Sequence, residues 1–291
     1  MHRFAERMLA RAIEIAEDID EPFALAYAHM VRALYGVGMA SWEPVEQSVR
    51  ISEHLCEQLH DPVTYGNAQM VAFWASHYRG QVERSGVIAR ALLERAEKIG
   101  HRQQTVWGLR TLSLFELARG APVDALGYIE RAVRYIAKSD HENEVIAAWG
   151  VCALIRYRVG DTDGARDATE RGLPEGSHTR RPTAHSRLSG WSGLAEVTLG
   201  LHAADPSSTR WKTYAEQALQ GLARHQRVFP VGEPTYLYWR GVSEAQADRQ
   251  ADAQKTWHKG IQAADRVGAH CDRERLTQSL ARLATATSPR V

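Results

Sequence analysis

TVWGLRTLSLFELARG (Thr105–Gly120) runs into APVDALGYIERAV (Ala121–Val133), and 40 residues later NEVIAAWGVCALIRYRVG (Asn143–Gly160) runs into DTDGARDATERG (Asp161–Gly172). At that offset Gly120 aligns with Gly160, Ala125 with Ala165, Glu130 with Glu170 and Ala132 with Gly172. Each half reads as a helical hairpin turned at a glycine, which ends a helix without a Cβ penalty. The rest of the chain reads as more of this unit. Apolar residues recur at helical spacing at Ala5, Met8, Leu9, Ala12, Ile13 and Ala16, and again at Ile88, Ala89, Leu92, Leu93, Ala96 and Ile99. No segment alternates with a period of two for long enough to be a strand.

Outward from this stretch, helices are expected at Phe4–Asp18, Phe23–Gly38, Pro44–Leu59, from Pro62 to Arg79, and at Ser85–Ile99. After Gly172 the pattern lapses in LPEGSHTRRP (Leu173–Pro182) and resumes near Ala184. Further breaks fall at Asp205–Ser208 and Val228–Pro234. A last hairpin and a final helix, Asp272 to about Ala284, complete the count. Glycines at 80, 120, 160 and 200 are expected to mark the turns within pairs. Self-similarity at such a period defines an all-α solenoid. The expectation is one right-handed array of antiparallel helix pairs over residues 1–284, about fourteen helices with a period near 40, and a disordered tail over 285–291. The second helix of each pair carries a small–large–small pattern: Ala89-Leu93-Ala96, Ala125-Ile129-Ala132, Ala165-Thr169-Gly172, Ala253-Trp257-Gly260. Small residues let neighbouring helices approach, and the larger one fills the gap.

Composition narrows the function classes. Thirty-six Lys+Arg against 35 Asp+Glu leave a net charge of +1, so nothing points to nucleic acid or an anionic membrane. No uncharged run approaches the roughly 20 apolar residues of a membrane span. The N-terminal stretch lacks the apolar core of a signal peptide, so a cytoplasmic protein is expected. Cys56, Cys152 and Cys271 lack the local spacing of a metal site and read as reduced, packed thiols. No phosphate loop, kinase motif or nucleophile–base arrangement is present, so neither an enzyme nor a cofactor is expected.

The glycine turn, the alanine five residues beyond it and the small–large–small seam resemble the tetratricopeptide repeat, with a longer period than that family's roughly 34 residues. Trp107, Trp149, Gly193 and Gly241 match its first helix only approximately. Three segments carry a narrower likeness: ALLERAEKIGHR (Ala91–Arg102), RPTAHSRLSGWSGLAEVTLGL (Arg181–Leu201), and Arg227–Gly268 with its Phe229–Pro234 run FPVGEP. Together they resemble the helical-repeat region that ends large bacterial signalling proteins. In those, a class III adenylate/guanylate cyclase or Ser/Thr kinase precedes a P-loop ATPase. The resemblance implies a non-catalytic regulatory module that binds a protein or peptide, with an upstream cyclase, kinase or ATPase as one such partner. A small-molecule sensor is the alternative it leaves open. The first helix has the seam of a second helix with no mate before it, so an uncovered apolar face is expected at that end, as in a piece of a longer or split protein.

On such an array the concave face is lined by first helices. The register places Asn67, Trp74, His77, Tyr78, Trp107, Arg110, Tyr157, Arg158, Arg187 and Tyr238 there. Aromatic and Arg side chains anchor peptides through contact area and planar hydrogen bonding, and they serve equally as packing. The segment after the regular stretch gathers His178, Arg180, Arg181, His185 and Arg187, either a solvated loop or a receiver for phosphate or an acidic segment.

Overall fold

The computed structural model describes residues 2–136, 142–173, 176 and 181–287. Among them are fourteen α-helices and no strand: α1 (His2–Asp18), α2 (Pro22–Met39), α3 (Trp42–Leu59), α4 (Pro62–Tyr78), α5 (Val82–Lys98), α6 (Arg102–Ala118), α7 (Pro122–Ile136), α8 (Glu142–Arg158), α9 (Thr162–Gly172), α10 (Leu188–Ala204), α11 (Thr209–Val228), α12 (Glu233–Gln246), α13 (Gln250–Val267) and α14 (His270–Thr287). Short 3-10 turns at His185–Arg187 and Pro230–Gly232 precede α10 and α12. Each helix packs on the next in sequence order, the arrangement of a helical-repeat solenoid.

The beat is 20 residues per helix. A left-handed residue closes the turn at Asp20, Ala40, His60, Gly80, Gly100, Gly120 and Gly160, with φ between 50° and 85°. At Ala40 the amide of Ser41 reaches back to Gly36 O and that of Ala40 to Val37 O, which satisfies the last carbonyls of α2. The small–large–small seams are buried throughout: Ala89, Ala96, Ala125, Ile129, Ala132, Ala165 and Ala253 are fully enclosed. On α1 the same seam is only half covered, because no helix packs on its other side among the described residues.

Three expectations need correcting. Gly200 does not mark a turn. It lies inside α10 against the Tyr157 hydroxyl, and the turn comes at Asp205. The cause is α9, which stops after 11 residues, so the long connection to Leu188 shifts the register. The last helix runs to Thr287, past the expected start of the tail at 285; residues 288–291 lie outside those described. Cys56 and Cys152 are buried as expected, but Cys271 is exposed.

Where the register shifts, α8 and α10 cross backbone to backbone. A Cβ on Gly150 would overlap the Gly190 carbonyl, one on Gly190 the Ile146 carbonyl, and one on Gly193 the Gly150 carbonyl. Three glycines on two helices therefore permit a contact that no side chain could separate.

The superhelix curls far enough that its ends meet. Trp42 Nε1, at the start of α3, donates to Val267 O at the end of α13 at 2.8 Å, 225 residues away. Gly80, after α4, backs onto the Cys271 sulfur. Phe229, from the FPVGEP run, wedges against α2 where Gly38 leaves room; a Cβ there would fall 2.7 Å from the ring. The array is thus a closed curl whose inner face is packed by its own later segments.

Candidate functional site

Closure forms a half-open cavity of about 310 Å³ between the early and late helices. The end of α4 supplies His77 and Tyr78. The starts of α10 and α12 supply Ser189, Ser192 and Thr235, and α14 supplies Cys271, Asp272 and Arg275. The α14 side is a connected polar wall. Thr235 Oγ1 donates to Asp272 Oδ2 at 2.8 Å, and Arg275 Nη1 lies 3.9 Å from Asp272 Oδ1. The Arg275 guanidinium covers the Tyr238 ring at 4.1 Å and the Trp239 ring at 5.2 Å, and Trp239 Nε1 donates to Ser192 Oγ at 2.8 Å. Burial raises the Asp272 carboxyl above its ordinary range; Arg275 and Thr235 oppose that shift without cancelling it.

Facing this wall are His77 and Tyr78. Burial holds the His77 imidazole down to about 4, so it is neutral at pH 7, and it raises the Tyr78 phenol. Both are partly exposed and line the cavity. Tyr78 donates its hydroxyl to His185 O at 3.1 Å. The cavity thus sets a carboxyl and a guanidinium opposite an uncharged imidazole and a phenol. That arrangement can hold a small molecule bearing both donors and acceptors. A hollow of about 340 Å³ also lies over α3, α4 and α5. Arg84 pairs there with Glu46 at 3.2 Å and Glu53 accepts from Gln69, Arg50 also lines it, and it joins consecutive helices only. Among the described residues no group of three or more His, Cys, Asp or Glu is placed to hold a metal, and no helix is long and apolar enough to cross a membrane.

Most of the residues expected on the concave face meet the chain itself rather than an open groove. Trp74 is fully buried between Tyr78, His185 and Arg110. Asn67 Oδ1 accepts from the buried Gln104 Nε2 at 2.9 Å, which also donates to Val63 O at 2.8 Å. Trp107 Nε1 and Arg110 Nη1 both donate to Glu144, at 3.1 and 3.4 Å, and Arg110 is 1% exposed. Tyr157 covers Gly200. Arg158 grips Glu196 through two bonds, at 2.8 and 2.9 Å. Tyr238 lies beneath Arg275. Of the proposed set, His77, Tyr78 and Tyr238 come together around the cavity or its wall.

The basic segment divides. His178 and Arg180 lie outside the described residues, and Arg181 is exposed. His185 and Arg187 are buried at 4% exposure, so neither belongs to a solvated loop or a surface phosphate receiver. They form the 3-10 turn that fills the inner curve. His225 Nε2 lies 3.0 Å from His185 O and must donate to it, which fixes its tautomer. Phe229 packs at 5.1 Å from His225 and 6.3 Å from His185.

Sequence reasoning missed Asp272, Arg275, Thr235, Ser192 and His225. One signal was present: Gln104–Asn67, Trp107–Glu144 and Thr235–Asp272 all join residues 37 apart. That is nearly one period, so polar residues at this spacing on first helices are bridging candidates. Glu144 illustrates the energetic consequence. Glu144→Ala leaves the buried Arg110 cation without its carboxylate and is expected to cost about 3 kcal/mol, far more than an exposed pair is worth. Urea unfolding checks this; a loss below about 1 kcal/mol would show the pair to be solvent-screened.

No protein-family model matches this chain.

Proposed function

We propose that this protein is a non-catalytic helical-repeat sensor that takes a small polar molecule in its central cavity. The observation that carries the reading is the cavity's construction: helices from both ends of the curl line it, so an occupant touches α4 and α14 at once. A ligand there would stabilise the closed curl over any opened form by mass action. The likeness of Ala91–Arg102, Arg181–Leu201 and Arg227–Gly268 to the repeat regions of bacterial cyclase, kinase and ATPase signalling proteins supports coupling such a change to an attached or docked output domain. The volume falls at the small end of ligand sites, suited to a metabolite rather than a peptide. A protein- or peptide-binding scaffold is the other reading of the fold, but the inner curve that such a peptide would use is filled by Phe229, His185 and Arg187.

The test is thermal unfolding against a panel of amino acids, small carboxylates and nucleotides, beside native mass spectrometry of the purified chain. At a hundredfold excess over its dissociation constant, a ligand is expected to add about 2.7 kcal/mol of stability. That gain should vanish in Asp272→Asn combined with Arg275→Gln. A panel that leaves the unfolding temperature unchanged, with no bound mass on the chain, would sink the reading.

A further inference from the structure

Of the twelve large apolar side chains exposed among the described residues, six lie in the first 27: Phe4, Met8, Ile15 and Ile19 on or just after α1, and Phe23 and Tyr27 on α2, each 44–63% exposed. On α1 they form one stripe, spaced 4, 7 and 4 residues apart. The stripe runs beside the face that packs on α2 through Leu9, Ile13 and Ala16. Later second helices also leave the corresponding outer positions exposed, but they place charge there: Arg84 and Asp124 stand where α1 has Phe4, and Arg95 where it has Ile15. Among these helices the unbroken apolar stripe is particular to α1. A contiguous apolar patch of this kind marks an interaction surface.

The charges along its edge identify the occupant. Arg3, Arg7 and Arg11 border the N-terminal half of the stripe, and Glu14 and Asp18 continue the same edge over the C-terminal half. This order runs against the helix dipole, with no acid in the first turn and no base in the last. Within the helix only Arg11 and Glu14 pair, at 3.1 Å and with both side chains about 60% exposed. An antiparallel neighbour of identical sequence complements the edge end to end. About a twofold axis near Arg11, Arg3 and Arg7 of one copy lie over Asp18 and Glu14 of the other, and Phe4 and Met8 lie over Ile19 and Ile15.

We propose that the protein forms a twofold dimer in which the α1 helices of two copies pack antiparallel, apolar stripe on apolar stripe. The interface is isologous, so it closes at two subunits and leaves no free face to propagate. It uses no residue that lines the cavity and does not depend on the cavity being a ligand site.

Sedimentation equilibrium on the full chain is expected to give twice the 32.5 kDa monomer mass. Met8→Glu combined with Ile15→Glu should return a monomer with unchanged helicity by circular dichroism, since both residues are exposed in the single chain. Arg7→Glu alone should weaken dimerisation, and adding Glu14→Arg should restore it, because the swap rebuilds the complementary edge in an antiparallel pair. A wild-type monomer at high micromolar concentration would overturn the proposal, as would a dimer that survives the Met8/Ile15 change. Failure of the charge swap to rescue would overturn the antiparallel arrangement.

Discussion

Acidification from pH 7 to pH 5 is expected to lower the unfolding free energy by several kcal/mol, through buried imidazoles that the fold holds uncharged. Burial, with the like charges of His225 and Arg110 adding to it, lowers the His185 imidazole to about 3. Burial, aided by Arg187 and opposed by the bond to His185 O, lowers His225 to about 4. Both folded values lie below the unfolded 6.5, so the unfolded chain binds more protons as pH falls, and stability falls with it. The contribution is fully present above about pH 6.5 and is lost progressively down to the folded values. For His185 the full shift corresponds to on the order of 5 kcal/mol, a large part of a domain's usual 5–15 kcal/mol. His77 adds in the same sense, moderated because it faces the cavity. Asp272 and Glu53, whose carboxyls burial raises, act oppositely but are partly compensated by Arg275, Thr235 and Gln69. Urea titrations at pH 7, 6 and 5 measure the effect. His185→Phe should make the pH dependence shallower by about one proton. Equal stability at pH 7 and pH 5 would mean that water reaches these rings.

Replacing Gly150 with valine is expected to cost about 3 kcal/mol or more, because the added atoms meet the backbone of α10 and not a movable side chain. Helix α8 would have to lift off α10 at the point where the array changes register, and the curl that closes beyond it would open. Gly127→Ala provides the control. Gly127 also lies within a helix, α7, but a Cβ there meets nothing within 4 Å. That change should stabilise the protein by roughly 0.5–1 kcal/mol through helix propensity alone. Chemical denaturation of the two variants should therefore move in opposite directions. A mild loss at Gly150 would show that the crossing relaxes cheaply.

Much of the architecture was readable before any coordinates. Helix limits mostly fell within a few residues of expectation because caps and glycine turns are local chemistry. Ala125-Ile129-Ala132 announced a buried seam because spacing alone puts those residues on one face. Gly200 misled because α9 ended early, and a register change in one repeat displaces every later landmark. At the site, Trp74 and Tyr78 were legible as inward-facing aromatics. His185 and Arg187 were not legible as core, since in sequence they belong to a polar segment rich in proline and glycine. His185 is enclosed by Phe229 and by Trp74 and Tyr78 of α4, which come from far apart in the chain.

The amino-acid sequence by itself determined the helices, their 20-residue beat, the close-packed seams and the half-covered first helix, all set by residue spacing within one or two neighbouring elements. Only the tertiary structure decided that the array closes, that its inner face is filled by its own turns, and that Asp272 and Arg275 meet His77 and Tyr78 across a cavity. Those meetings depend on a small rotation at each helix pair accumulated over nearly 200 residues. No local pattern records that sum.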